Sequence, residues 1–117
     1  MNPIREAAKN LRGYWYKGEY YNEDNNSQMC GLGHVANVLG NGDLEAGFEA
    51  DEFYECQKIM DKVAKEQYPD RNSSFMAPNQ QKMFTHNFPI FNDHPDTTED
   101  EVVAVIEKAA VLYDEKI

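Results

Sequence analysis

One short stretch limits the fold more than any other: Thr98 stands three residues before Glu101. That Ser/Thr-x-x-Glu spacing is a capping box. In it the threonine oxygen takes the Glu101 backbone N–H and the glutamate reaches back to the Thr98 N–H. Glu99, Asp100 and Glu101 also place negative charge at the positive end of the helix dipole. Behind the cap, Val102, Val105, Ile106, Ala109, Leu112 and Tyr113 recur at helical spacing and form one apolar stripe. Such a helix is stable only when its stripe is packed, so the rest of the sequence has to supply its partners.

Those partners are legible in chain order. Asn2 and Pro3 suit the cap and first position of a helix over residues 3–12, with Ile4, Ala7, Ala8 and Leu11 as its stripe and Gly13 as its end. From Tyr14 to Asn26 the pattern changes to an aromatic-rich loop or short hairpin. Its Tyr14, Trp15, Tyr16, Tyr20 and Tyr21 read as the lid of a small core. The spacing predicts a second helix from Cys30 to Leu39, ended by Gly40, with Leu32, Val35, Ala36 and Leu39 inward. Gly31 and Gly33 should each cost ~1 kcal/mol against alanine in a helix interior, and close backbone packing is the expected compensation.

A third helix begins at Asp43 or Asp51 and runs to Tyr68, stopped by Pro69, with Cys56 among its core positions. Asp70 to Pro78 is a loop, followed by a short helical turn around Asn79–Phe84. His86 to Pro95 reads as extended because Pro89 and Pro95 punctuate it. Asn92 and Asp93 are read as Asx turns that pin this segment onto the second helix. The expected architecture is mainly α: a compact single domain over residues 1–117 with about four principal helices. The second and last form the core pair, bridged by Phe91–Pro95.

Charge decides the class of partner. The formal net charge is −10, from 11 basic and 21 acidic residues. Gripping a phosphate backbone needs Lys and Arg to displace counterions, so direct binding of nucleic acid or an anionic membrane is not expected. No basic residue lies between Lys17 and Lys58, whereas Asp43, Glu45, Glu49, Asp51, Glu52 and Glu55 crowd the second half of that interval. These six, with Tyr20 and Tyr21 as anchors at the rim, are the candidate surface for a protein partner with a basic face. Two cysteines without a secretion signal point to a reducing, cytoplasmic setting. No apolar run approaches the ~18 residues of a membrane span.

Two chemical alternatives stand beside that reading. Cys30 lies near a helix start, where the dipole favours a thiolate. With His86 as base and Asn92 orienting the ring it follows the order of a Cys-His-Asn hydrolase or transferase. A metal site could draw on Cys30, His34 and His86, with Asp93 or His94 completing it, although the loose Cys-x-x-x-His lacks the close pairing of strong zinc motifs. The bland readings, a structural cysteine and a half-buried histidine, carry more weight. No cofactor is expected, and the balance favours a non-enzymatic protein.

Three stretches also carry a resemblance. Cys30-Gly31-Leu32-Gly33-His34-Val35 resembles the Cys-x-x-Gly-Ala helix start of a family of small bacterial and bacteriophage proteins classed as a domain of unknown function. Phe91-Asn92-Asp93-His94-Pro95-Asp96-Thr97-Thr98-Glu99-Asp100-Glu101-Val102 is similar to that family's Trp-Asn-Asp-x-Pro-x-x-Thr-x-x-Glu-Val stretch, with phenylalanine in place of tryptophan. Gly13-Tyr14-Trp15-Tyr16-Lys17-Gly18 resembles its Gly-Trp-x-x-Gly segment, and His34 stands where alanine is usual. The resemblance implies a compact helical domain and brings no established activity. Its phage association makes an inhibitor of a host or defence factor, of nucleic-acid-mimic type, the expected kind of protein binder.

Overall fold

The computed structural model describes residues 2–81 and 86–116. Helix α1 (Pro3–Leu11) leads into a hairpin of β1 (Tyr21–Asn22) and β2 (Asn25–Met29). Then come α2 (Gly31–Leu39), α3 (Leu44–Glu49), α4 (Asp51–Gln67), α5 (Pro78–Gln81), α6 (Asn87–Asp93) and α7 (Glu99–Glu115). The mainly α expectation holds, but among the described residues there are seven α-helices rather than about four.

Two physical causes account for the difference. The expected third helix is split at Ala50, whose extended backbone (φ −67°, ψ 138°) ends α3 and starts α4. The segment expected to be extended is helical over Asn87–Asp93. Pro89 falls in its first turn, where an N–H has no acceptor within the helix, so proline is tolerated there. No local side chain caps this helix. The Asp61 carboxylate on α4 instead accepts the Phe88 N–H at 2.7 Å. The predicted turn at Asn79–Phe84 is present as α5 up to Gln81, and its remainder lies outside the described residues.

The clearest local signals are realised. Thr98 Oγ1 accepts the Glu101 N–H at 3.3 Å, and Glu101 Oε1 accepts the Thr98 N–H at 2.9 Å. Arg71 then grips the same carboxylate with both nitrogens, at 3.2 and 3.0 Å, so the box is tied to the loop after α4. Asn2 caps α1 by accepting the Ile4 and Arg5 N–H groups.

The core is shared by five helices. α1 and α4 each pack against both α2 and α7, and α4 also carries α6. The direct pairing of the second and last helices expected from sequence is therefore largely mediated by these two. Phe88, Phe91, Leu32, Met60, Val102 and Ile106 are among the fully buried side chains, and Cys56 is buried as expected. Both glycines of α2 are explained by close approach. A Cβ at Gly31 would lie 2.4 Å from the Phe88 ring, and one at Gly33 would lie 2.4 Å from the Tyr20 carbonyl oxygen. The first glycine admits α6 and the second admits the hairpin. No described helix is long and apolar enough to cross a membrane.

Candidate functional site

The junction of hairpin, α2 and α6 is organised by one buried amide. Asn92 Oδ1 accepts the Trp15 indole N–H at 2.8 Å and the Gly31 backbone N–H at 3.1 Å. Its Nδ2 donates to the Tyr16 carbonyl at 3.3 Å and to Asp93 Oδ1 at 3.0 Å. Every hydrogen-bonding valence of the amide hydrogens and one oxygen is engaged with groups far away in sequence, apart from Asp93. Asp93 Oδ1 in turn accepts the Gly18 N–H at 2.8 Å. Lys17 Nζ donates to the His94 and Thr97 carbonyls at 2.8 and 3.0 Å, placing a cation at the negative end of α6. Asn92 thus pins its segment onto α2, as expected, but through a tertiary bond rather than an Asx turn, while Asp93 holds the loop at Gly18. The stretches around Trp15, Cys30 and Asn92, quoted separately above, meet at one place.

Beside this clamp lies a cleft of about 430 Å³. Its apolar base is the buried trio Cys30, Leu32 and Phe88, with Tyr20 and Tyr21 from the hairpin beside it. Glu19, Glu23 and Asp93 are the charged residues of its lining, and none of the lining residues is basic. Partial burial raises the Tyr20 hydroxyl above its ordinary pKa.

The candidate catalytic residues divide. Cys30 and Asn92 both line this cleft, whereas His86 does not. His86 Nδ1 is 3.0 Å from Asp61 Oδ2 at the start of α6. Burial holds the Asp61 carboxyl above its ordinary pKa, against the opposing pull of the Phe88 N–H and His86. The Cys30 sulfur accepts the Gly33 N–H at 3.3 Å and so serves as the cap of α2. Burial pushes its thiol up to about 12, outweighing the helix-start hydrogen bonds that favour the thiolate. Asn92, already saturated by structural bonds, has no imidazole to orient.

The candidate metal ligands are likewise dispersed. His34 Nε2 lies 2.9 Å from the Tyr14 carbonyl, which can only accept, so that nitrogen carries the proton. Its Nδ1 is buried without a partner, and burial lowers the pKa of the ring. Among the described residues no three His, Cys, Asp or Glu side chains are grouped as a metal would require.

The candidate partner-binding residues fare differently. All six acids are exposed, as are Tyr20 and Tyr21. Asp43, Glu45, Glu49 and Tyr21 line a single groove of about 740 Å³, together with Leu44 and Phe48. The Phe48 ring meets that of Tyr20 edge-on, with centroids 4.7 Å apart. The other acids lie along α4. Asp51 is exposed there, Glu52 accepts the Tyr113 hydroxyl at 3.0 Å, and Glu55 pairs with Lys116 at 3.1 Å. Those two carboxylates are partly spent within the molecule.

What sequence reasoning missed is the convergence itself: the Trp15–Asn92 bond spans 77 positions. The only signal was that Trp15, Gly31 and Asn92 belonged to the three quoted stretches. The model of a family described as "Family of unknown function (DUF6197)" matches residues 3–112. No curated protein and no solved structure matches the chain.

Proposed function

The chain belongs to that family of unknown function, and from this premise we propose that it works by binding a protein with a basic surface through the groove between its hairpin and α3. The observation that carries this reading is the groove's composition. Tyr21, Phe48 and Leu44 supply apolar contact, Asp43, Glu45 and Glu49 supply charge, and no lysine or arginine lines it. Aromatic groups beside uncompensated charge are what a partner's cationic side chains need, both for contact area and for steering. A nucleic-acid-mimic inhibitor of a host or defence factor is the biological setting in which such a groove has an obvious use, by occupying a site otherwise filled by phosphates.

The cysteine-enzyme alternative has no comparable support, since the Cys30 sulfur is engaged and no histidine lines its cleft. The test is affinity capture from the native cell with mass spectrometry, followed by titration of the recovered partner. Glu45, Glu49 and Asp51 are the positions to reverse to lysine, because all are exposed and form no side-chain bond among the described residues. Asp43 is avoided because its side chain caps α3 by accepting the Ala46 N–H, a bond worth about 1 kcal/mol. The triple reversal should abolish binding at physiological salt while costing under about 2 kcal/mol of stability. Undiminished binding refutes the proposal.

A further inference from the structure

The cleft over Cys30, Leu32 and Phe88 has no role in the acidic groove, yet the two are neighbours. Tyr21 lines both, and Tyr20 of the cleft packs on Phe48 of the groove. A volume of about 430 Å³ is within the range of sites that accept a small ligand or a large side chain. The lining combines a buried apolar base with Glu19 and Glu23, both exposed, and with Asp93. The shape is also held in place. Gly33 presses against the Tyr20 carbonyl, Gly31 against the Phe88 ring, and Asn92 bonds to the start of α2. A cavity so held does not have to be ordered at the moment of binding.

We propose that this cleft receives a bulky apolar side chain from the same basic partner, an extended segment in which a residue such as leucine is flanked by lysines or arginines. The apolar group sits over Leu32 and Phe88. The adjacent cations face Glu19 and Glu23 on one side and continue into the groove past Tyr21. This inference rests on the proposed function and adds to it the chemistry of the recognised segment. Charge complementarity selects a peptide over an anionic or neutral occupant, because every charged residue in both linings is acidic.

The test uses the full chain and two fluorescein-labelled nine-residue peptides, one of alternating lysine and glycine and one identical but for leucine at its centre. Binding is read by anisotropy at physiological salt. Leucine should tighten the dissociation constant about tenfold, the return expected for burying much of one apolar side chain. The double variant Glu19→Lys/Glu23→Lys should weaken the leucine peptide, and both positions are exposed, so the fold is not at stake. Equal affinity of the two peptides overturns the cleft proposal and leaves the groove reading standing. Indifference of the lysine–glycine peptide to Glu45→Lys/Glu49→Lys/Asp51→Lys overturns the groove reading instead. No binding of either peptide overturns both.

Discussion

Replacing Asn92 by alanine removes four hydrogen bonds at once, and the structure says which of them matter. The Gly31 N–H is buried and has Asn92 Oδ1 as its acceptor, so the variant strands a donor away from water. Leaving such a group unmade costs about 1–3 kcal/mol, and the half-buried Trp15 indole N–H adds about 0.5–1.5 kcal/mol. The Nδ2 bonds add less, because the bond to the Tyr16 carbonyl is long at 3.3 Å and Asp93 keeps its Gly18 bond. The expected loss is about 3 kcal/mol, or roughly 12 °C in melting temperature for a domain of this size. Trp15 is the chain's single tryptophan, so its emission reports on the same site without a label. Urea unfolding followed by that emission should give both the lost stability and a red shift of the native spectrum. Asn92→Asp separates donor from acceptor. It keeps both acceptor bonds but sets a carboxylate against Asp93, so it should be destabilised at neutral pH and partly recover on acidification. A loss below about 1 kcal/mol for Asn92→Ala, with unchanged native emission, would show that the amide is not the clamp described here.

Two further predictions concern titratable groups. Hydrogen bonds from Arg71, the larger cause, and from Thr98 hold the Glu101 carboxyl below its ordinary pKa. A depressed folded-state value gives stability that is present above the unfolded value near 4.5 and is lost as pH falls through the folded one. The stability difference between wild type and Glu101→Gln should therefore be about 1 kcal/mol at pH 7, after allowance for solvent screening, and shrink towards pH 3; a pH-independent difference refutes it. The Cys30 thiol, pushed up to about 12, should react with iodoacetamide at pH 7.5 more than ~100-fold slower than an unperturbed cysteine, as followed by peptide mass spectrometry. Labelling within minutes would restore the case for a reactive thiol.

Local chemistry was readable and long-range chemistry was not. The Thr98–Glu101 box, the Asn2 cap and the burial of Cys56 each depend on residues within a turn or two, and each stands in the structure as the spacing implied. The close approach at Gly31 and Gly33 followed from their helix cost, although nothing local said that Phe88 and the Tyr20 carbonyl would be the neighbours. The start of α6 was hidden because its first-turn N–H is capped by Asp61, 27 positions earlier. Pro89 then made a helix look like a break. For the candidate site, Asp43, Glu45 and Glu49 were singled out from charge spacing alone, and the fold sets them along one groove. The cleft was invisible, since Leu32 read as ordinary core, Phe88 lay in a segment read as extended, and only the fold leaves a gap above them.

The packing of α1 against α7 has a consequence for how the protein is made. Asn2 Nδ2 donates to the Ala110 carbonyl, 108 positions later, and Arg5 pairs with Asp114 at 2.7 Å. α1 is therefore synthesised well before the helix that completes its packing. At ordinary synthesis rates of ~5–20 residues per second, the part of α1 that meets α7 stays wet for several seconds, a window in which a chaperone or an aggregating neighbour can reach it.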